Sequence, residues 1–218
     1  MEAKNVFITG GTGYVGRRLP ETLVARGHRV RVLARAASVS RVVQGSTTIV
    51  GNALDASSYV SAVRPGETIV HLVGTPHPSP AKAAEFQRVD RPSIEAAVAA
   101  ATRSGAGHLV YVSVAHPAPV MKAYIEVRMA GERAIAQARL TATIIRPWYV
   151  LGPGHWWPVI LTPVYAIANL IPSMRDGAQR LGLVTIEQMI RTLVAAVENP
   201  PAPGAIRVWN VPDIRASR

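Results

Sequence analysis

Short apolar runs alternate along this chain with longer segments in which apolar residues recur every three or four positions. The first pattern is typical of buried strands and the second of amphipathic helices. We predict strands over residues 5–9, 29–33, 47–50, 68–72, 108–113 and 142–146. Helical segments are predicted over residues 14–26, 38–43, 56–63, 83–103 and 121–139. This alternation favours the α/β class and a doubly wound parallel sheet of the Rossmann type, with a ligand crevice at the carboxyl ends of the strands.

The pattern is looser after Pro147. Residues 156–171 are apolar and aromatic but shorter than a bilayer span, so we expect a helix lining a pocket or an oligomer interface, and no transmembrane segment. Trp148, Trp156 and Trp157 would form an aromatic wall for an apolar substrate or a packed interface. A capped helix over 186–198 and a strand over 205–209 follow. We expect one Rossmann domain over 1–218, with a small substrate-side lobe in 148–218, and leave a homodimer open.

The formal net charge of +11 comes from 24 lysine and arginine residues against 13 aspartate and glutamate residues. The arginines are scattered along the chain and not gathered into a run or a stripe, so we expect no nucleic-acid partner. Cysteine is absent, which excludes disulfides, thiolate catalysis and cysteine metal sites. The amino terminus leads directly into the first predicted strand and leaves no room for a signal peptide, so a cytoplasmic location is expected.

Glycines at positions 10, 13 and 16 stand between the first predicted strand and the first predicted helix. Gly10 would permit a tight turn, Gly13 the approach of a pyrophosphate to the backbone, and Gly16 close packing of the helix on the sheet. Unpaired N–H groups at the start of the helix would then face the phosphates. A glycine triplet alone is weak evidence, but in this strand–turn–helix setting it predicts a dinucleotide-binding loop.

The end of the second predicted strand distinguishes the two nicotinamide dinucleotides. An acidic residue there would bind the ribose 2′-hydroxyl of NAD and repel a 2′-phosphate. The chain instead has Arg35, followed by Ser38 and Arg41, and Arg17 adds positive potential after the glycine loop. The planar donor fork of Arg35 can pair with a phosphate. We therefore favour NADP(H) as the cofactor, with NAD(H) as the second choice.

These segments resemble the short-chain dehydrogenase/reductase superfamily, in particular its atypical and extended branches, whose loop reads TGxxGxxG. Residues 51–55 are similar to the family's GDxxD segment beside the adenine, with Asn52 in place of the usual aspartate. Residues 72–74 resemble the apolar-Gly turn beside the cofactor, and residues 146–154 resemble the RPxxVxGPG segment flanking the nicotinamide. The resemblance implies a dinucleotide site formed by Gly10, Thr12, Gly13, Tyr14, Val15, Gly16, Arg35, Asn52, Ala53, Leu54, Val73, Gly74, Tyr124, Arg128, Pro147 and Val150.

In catalytic members of this superfamily, a Tyr-x-x-x-Lys pair on the helix after the fifth strand exchanges a proton with the substrate, and a serine at the end of that strand orients the substrate oxygen. The matching positions are Tyr124, Arg128 and Ser113. Arg128 keeps the spacing and the charge, but it is bulkier than lysine and cannot pass on a proton. The resemblance implies that Tyr124 is the general acid/base, Ser113 the orienting group and Arg128 the electrostatic partner.

Two histidines and the acidic residues are further candidates for functional groups. We expect His116 to be a loop histidine facing water, the alternative being a surrogate acid or base. His71, inside an apolar strand, is expected to be a core histidine with its polar atoms satisfied. No histidine or acidic residues have metal-ligand spacing, so no metal is expected.

The layout is most similar to the NmrA-like and complex-I-subunit-like members of the superfamily. The first hypothesis is an NADP(H)-dependent oxidoreductase acting on a small carbonyl or hydroxyl compound. The second is a non-catalytic, NmrA-like NADP(H)-binding redox sensor or assembly protein. An NAD-dependent enzyme of the epimerase or dehydratase type is a further alternative, and the sequence leaves the substrate unidentified.

Overall fold

The computed structural model describes residues 2–154, 177 and 179–217. Its strands are β1 (Asn5–Thr9), β2 (Arg29–Ala34), β3 (Thr47–Val50), β4 (Thr68–His71), β5 (His108–Val112), β6 (Ala142–Ile145), β7 (Tyr149–Leu151), β8 (Leu183–Thr185) and β9 (Ile206–Trp209). The main sheet has seven strands in the order β3-β2-β1-β4-β5-β6-β9, and every neighbouring pair is parallel. A second sheet pairs β7 with β8. The strand order reverses between β1 and β4, which is the point where a Rossmann sheet opens its ligand crevice.

The longer helices are α1 (Leu19–Ala25), α2 (Arg91–Ser104), α3 (Lys122–Gln137), α4 (Ile186–Glu198) and α5 (Val211–Ala216). Short 3-10 turns cover Ala36–Arg41, Ala56–Ser58, Val60–Ala62 and Pro80–Lys82. An α-helical turn (Ala83–Glu85) and a π-helical turn (Phe86–Asp90) lead into α2. No helix in the described part of the chain is long and apolar enough to cross a membrane.

The hydrophobic core lies on both faces of the sheet, and successive residues of β1 divide between them. Val6 and Ile8 belong to a cluster with residues of α1, α4 and α5, whereas Phe7 belongs to a second cluster with residues of α2 and α3. All three side chains are fully buried. Because alternate residues of a strand face opposite sides, an unbroken apolar run is what a sheet covered on both faces requires. The predicted fold class is therefore confirmed.

The first helix begins later than predicted. Residues 14–18 form turns, and α1 begins only at Leu19. Pro20, in the first turn of α1, has no N–H to donate to the carbonyl four residues earlier, so one continuous α-helix cannot run from the glycine loop.

Two other predicted helices differ in type. The helix predicted over 56–63 is a pair of 3-10 turns, separated at Tyr59, whose φ of −145° lies outside the helical range. This conformation accompanies burial of the ring, which stacks on Phe7 with centroids 5.8 Å apart. In the helix predicted over 83–103, a π-helical turn precedes α2, where Pro92 cannot donate the hydrogen bond that continues an α-helical register.

The helix ends near the carboxyl terminus follow local sequence signals. Thr185 and Gln188 form a reciprocal capping box at α4, with hydrogen bonds of 3.2 and 2.8 Å. The predicted capped helix over 186–198 is thereby confirmed. The elements β7, β8 and α5 were not predicted, because each is short and β7 pairs with a strand distant in the sequence. The helix predicted over 156–171, with Trp156 and Trp157, lies outside the described residues, whereas Trp148 packs against the core.

His71 is a core histidine, as predicted. Its Nδ1 lies 2.8 Å from Thr9 Oγ1, and its Nε2 lies 3.3 Å from Ser93 Oγ. Burial, with a smaller contribution from the charge of Arg128, lowers the pKa of His71 from 6.5 to about 3. The folded protein therefore holds this imidazole neutral where an unfolded chain would protonate it.

Acid is expected to destabilise the fold through His71 and His108, since burial also lowers the pKa of His108 to about 4. Below pH 6.5 the unfolded chain binds protons that the folded chain excludes, so the free energy of unfolding falls as pH falls toward these folded-state values. Each proton contributes a slope of about 1.4 kcal/mol per pH unit. Urea unfolding across this range should show a shallower slope for His71→Gln and an unchanged slope for the exposed control His77→Gln. Equal slopes in all three proteins would contradict the assignment.

Candidate functional site

The glycine loop after β1 is closed by contacts that only glycine permits. Gly10 has a φ of +76°, and a Cβ there would lie 2.7 Å from the carbonyl carbon of Leu72, so β1 and β4 approach each other closely at their carboxyl ends. Gly13 N donates to Gly10 O at 3.1 Å. A Cβ on Gly16 would lie 2.0 Å from that same Gly10 oxygen. Gly16 thus serves closure of the loop on itself, in addition to the helix packing that its spacing predicts.

Replacing Gly16 by alanine is expected to abolish dinucleotide binding, because the new methyl group would overlap a backbone oxygen that has no side-chain freedom to move away. Calorimetric titration of the variant with NADPH measures the loss. Gly27→Ala is the control: Gly27 also has a positive φ, +83°, but no heavy atom lies within 4 Å of the position that a Cβ would take there. It should lose stability through backbone strain and keep its affinity. Unchanged NADPH affinity in Gly16→Ala would contradict this role of the loop.

A cleft of about 370 Å³ opens at the carboxyl ends of β1, β2, β3 and β4, and we call it the main cleft. Its lining includes eight of the predicted cofactor residues, namely Gly10, Thr12, Arg35, Asn52, Ala53, Leu54, Val73 and Gly74. The remaining lining residues were not among the predicted cofactor residues, and they are Leu33, Ala34, Gly51, Pro76, Glu85 and Val89. Segments distant in sequence therefore meet where the strand order reverses.

Two predicted polar residues have different surroundings in the main cleft. Arg35 is exposed, and its side chain forms no hydrogen bond or ion pair within the described part of the chain. Asn52 is hydrogen-bonded within the turn after β3. Its Oδ1 accepts a hydrogen bond from Leu54 N at 3.1 Å, and its backbone N donates to Ser58 Oγ at 2.9 Å. Arg35 is thus available to a ligand, whereas the oxygen of Asn52 already has a donor.

Eight predicted cofactor residues lie outside the lining of the main cleft, and four of them belong to the glycine loop and the segment around β7. A Cβ on Gly152 would lie 2.3 Å from the Tyr14 hydroxyl oxygen, so Tyr14 reaches from the glycine loop to the backbone after β7. Val15 and Val150 pack against the core cluster that contains α1 and α4. The carbonyl of Pro147 accepts a hydrogen bond from Ala115 N at 2.9 Å. These residues connect the loop, the end of β5 and the segment carrying β7.

Arg128 lies in a buried ion pair beneath the turn after β4. Its Nη2 is 2.6 Å from Asp90 Oδ1, and the two side chains are 6% and 0% exposed. Its Nη1 donates to the carbonyls of Val73 and Val112 at 3.4 and 3.1 Å, and so joins the ends of β4 and β5. A Cβ on Gly74 would lie 2.2 Å from Nη2, so glycine leaves the space that the guanidinium fills.

The carboxylate of Asp90 accepts hydrogen bonds from three donors. Besides Arg128, its carboxylate accepts hydrogen bonds from the backbone N and the Oγ1 of Thr75, at 3.0 and 2.6 Å. Such bonds compensate for the loss of hydration of a buried charge. Asp90 thereby fixes both the guanidinium of Arg128 and the loop after β4.

Tyr124 is half-buried near the start of α3. Its ring packs on Phe86 with centroids 4.9 Å apart, and Cζ of Arg128 lies 5.0 Å from the ring centroid on the same helix. The Tyr-x-x-x-Arg spacing therefore places the cation against the aromatic ring, as residues four apart on one helix face allow.

The carboxylate of Glu132 lies among polar side chains near the carboxyl ends of β5 and β6. Ser113 Oγ donates to Glu132 Oε1 at 2.6 Å, and Arg146 Nε donates to the same oxygen at 2.9 Å. His116 Nε2 lies 3.6 Å from it, with a side chain only 15% exposed. The expectation that His116 faces water is wrong, because the loop after β5 turns it toward this carboxylate.

Sequence reasoning missed Asp90, Glu132 and Glu85. Asp90 could have been found as a charged residue four positions from Phe86 and four from Ile94, both of which are buried. Glu132 stands four positions after Arg128 on the same helix. Glu85 offered no signal, since only the folding of its segment against the main cleft brings it there.

A dinucleotide fits the residues that are present. Gly10 and Thr12 of the glycine loop line the main cleft, and Nε of Arg128 is buried without a hydrogen-bond partner beside the turn after β4. A buried orphan donor of this kind is rare in proteins and suits a ligand oxygen. No group of three or more His, Cys, Asp or Glu residues suited to a metal ion occurs in the described part of the chain.

Comparisons with known proteins identify the family. The model of the NAD(P)H-binding family matches residues 10–153. The chain is 30% identical over 198 residues to the ceramide reductase of Caulobacter vibrioides, covering 89% of this chain and 61% of that relative. It is 29% identical over 231 residues to the 3-diazoavenalumate denitrifying reductase of a Streptomyces species, covering 93% of this chain and 75% of that relative. The chain thus spans about three fifths of the length of the first relative.

A solved structure supports the same fold. A short-chain dehydrogenase/reductase superfamily protein from Agrobacterium tumefaciens with bound NAD aligns with a TM-score of 0.67 at 16% identity, covering 94% of this chain and 77% of that protein. The chain belongs to the NAD(P)H-binding family, and this membership supports a nicotinamide dinucleotide as its cofactor.

Proposed function

We propose that the protein is an NADP(H)-dependent oxidoreductase acting on a small, apolar or aromatic carbonyl or hydroxyl compound. The observation that carries the NADP(H) part is Arg35, an exposed arginine on the lining of the main cleft whose side chain has no partner among the described residues. It follows β2, the position from which Rossmann domains contact the adenosine ribose. A guanidinium pairs with a phosphate through two parallel hydrogen bonds, whereas a carboxylate there would repel it.

Replacing Arg35 by aspartate is expected to reverse the preference between the two cofactors. The variant loses the phosphate partner and gains a carboxylate that can bind the 2′-hydroxyl of NAD(H). Calorimetric titration with NADPH, NADP⁺, NADH and NAD⁺ measures the four affinities, and the ratio for phosphorylated over unphosphorylated forms should fall by about tenfold or more. Arg103→Ala, an exposed arginine in the last turn of α2, is the control and should keep the ratio. Equal ratios in wild type and Arg35→Asp would remove Arg35 from cofactor choice.

The reaction we propose uses Tyr124 as the proton donor or acceptor at the substrate oxygen. The bound dinucleotide supplies or takes up the hydride. Arg128 presents a fixed positive charge to the Tyr124 ring, and its geometry is held by Asp90. Ser113 donates its only hydroxyl proton to Glu132, so its oxygen is left as an acceptor. A substrate hydroxyl has a single proton, and in the proposed reaction that proton would pass to Tyr124 and not to Ser113.

An apolar surface beside Tyr124 supports the substrate class. A groove of about 280 Å³ is lined by Pro80, Phe86, Pro119, Val120, Met121, Lys122, Ala123 and Tyr124. Mainly apolar linings with a few polar groups are typical of small-molecule sites. The two reductases named above act, by their names, on ceramide and on 3-diazoavenalumate. A panel of apolar ketones, aldehydes and alcohols, assayed by NADPH absorbance, tests the proposal; no turnover of any member would count against it.

The redox-sensor hypothesis is supported by a different observation. Arg128 and Ser113 are each bound by an internal carboxylate, of Asp90 and Glu132 respectively, so neither side chain depends on a substrate for its geometry. A sensor would discriminate between NADP⁺ and NADPH in affinity and would turn over no substrate. Equal affinity for the two redox states would exclude sensing.

A further inference from the structure

We propose that the carboxylate of Glu85 accepts a hydrogen bond from the exocyclic amine of the adenine, and so makes the main cleft selective for adenine dinucleotides. The proposal rests on dinucleotide binding in the main cleft. Glu85 is half-buried on its lining, and its side chain forms no hydrogen bond or ion pair with any described residue. It is the only acidic residue among the lining residues that the structure describes.

The walls of the main cleft indicate which part of the ligand Glu85 would meet. The glycine loop after β1 marks the pyrophosphate, and Arg35 after β2 marks the ribose. Beyond them lie the apolar side chains of Ala53 and Leu54, after β3. Val89, four residues after Glu85 and also on the lining, adds an apolar contact from the segment after β4. In the proposed arrangement a flat base packs against these apolar side chains, with Glu85 at its edge.

The adenine amine needs a hydrogen-bond acceptor, and the side-chain oxygen of Asn52 already accepts one hydrogen bond within its own turn. The oxygen of Asn52 accepts from Leu54 N at 3.1 Å, and this bond fixes the turn after β3. Its amide nitrogen is a donor and cannot pair with a second donor. A carboxylate is an acceptor only, and the donors of an adenosine are its ribose hydroxyls and its amine. In NADP(H) the 2′ position bears a phosphate, which would repel a carboxylate close enough to accept from the neighbouring 3′-hydroxyl. The amine is therefore the partner that suits Glu85.

The test compares two cofactors that differ at this position of the base. NADP⁺ carries the amine, whereas nicotinamide hypoxanthine dinucleotide phosphate carries a carbonyl oxygen there. Calorimetric titration of the wild-type protein should show tighter binding of NADP⁺ by roughly 10- to 100-fold, the effect of a hydrogen bond to a charged group. Glu85→Met has a similar size without the acceptor, and it should bring the ratio close to one by weakening NADP⁺ alone. Glu85→Gln, which retains a carbonyl acceptor, should keep part of the ratio.

Gln87→Met is the matched control, since it introduces the same side chain at an exposed position two residues later, in the π-helical turn that follows Glu85. It should show the wild-type ratio. A wild-type ratio near one, or an unchanged ratio in Glu85→Met, would overturn the assignment of Glu85 while leaving the proposed function intact. If the wild-type protein bound neither dinucleotide, the proposed function would fail, and this inference with it.

Discussion

Tyr124→Phe is expected to lower kcat by a factor of about 10²–10⁴, the usual contribution of a positioned acid or base. The affinity for NADPH should stay nearly unchanged. The variant removes only the hydroxyl, so the ring can keep its contacts with Phe86 and with the guanidinium of Arg128. A loss of rate without a loss of binding would identify the hydroxyl as the proton-transferring group.

The measurement combines turnover on the best substrate from the panel with calorimetric NADPH binding. Tyr59→Phe is the matched control, because Tyr59 is buried in the core and its ring stacks on Phe7, away from the main cleft. That variant should retain the wild-type kcat. Full turnover in Tyr124→Phe would remove Tyr124 from the mechanism, and the cluster of Ser113, His116 and Glu132 would then be the next place to search for the acid or base.

Asp90→Leu is expected to lower the free energy of unfolding by about 3–5 kcal/mol, the cost of leaving one partner of a buried ion pair alone. The guanidinium of Arg128 would keep its charge inside the fold, and Thr75 would lose the acceptor of two hydrogen bonds. Arg128→Met should be destabilising for the complementary reason. The double variant should be more stable than the sum of the single effects predicts, by about 2–3 kcal/mol, because no unpaired charge remains.

Urea unfolding of the four proteins measures this coupling. The control is the exposed pair of Arg91 and Glu95, whose side chains are both 55% exposed. Glu95→Ala should cost no more than about 0.5 kcal/mol, as expected for an exposed pair four residues apart on a helix. Additive effects at Asp90 and Arg128 would mean that the pair contributes little to stability, and that its geometry serves another purpose.

Local sequence patterns predicted the parts of the site that depend on backbone conformation. The glycine triplet predicted the turn after β1, because its spacing requires positive φ at Gly10 and close backbone contact at Gly16. The position of Arg35 after β2 likewise placed it at the cleft. The contacts of the proposed catalytic pair, Tyr124 and Arg128, were predicted less completely. Its spacing placed Arg128 against Tyr124, but the partner that holds Arg128 is 38 residues away in the chain.

By itself the sequence determined the doubly wound sheet, the phosphate-binding type of loop and the capping of α4, since each follows from short-range periodicity and spacing. Only the tertiary structure decided which polar groups meet. Asp90 pairs with Arg128, Glu132 gathers Ser113 and His116, and Glu85 enters the main cleft. The physical reason is that a buried charge requires a partner, and packing brings that partner from another segment of the chain.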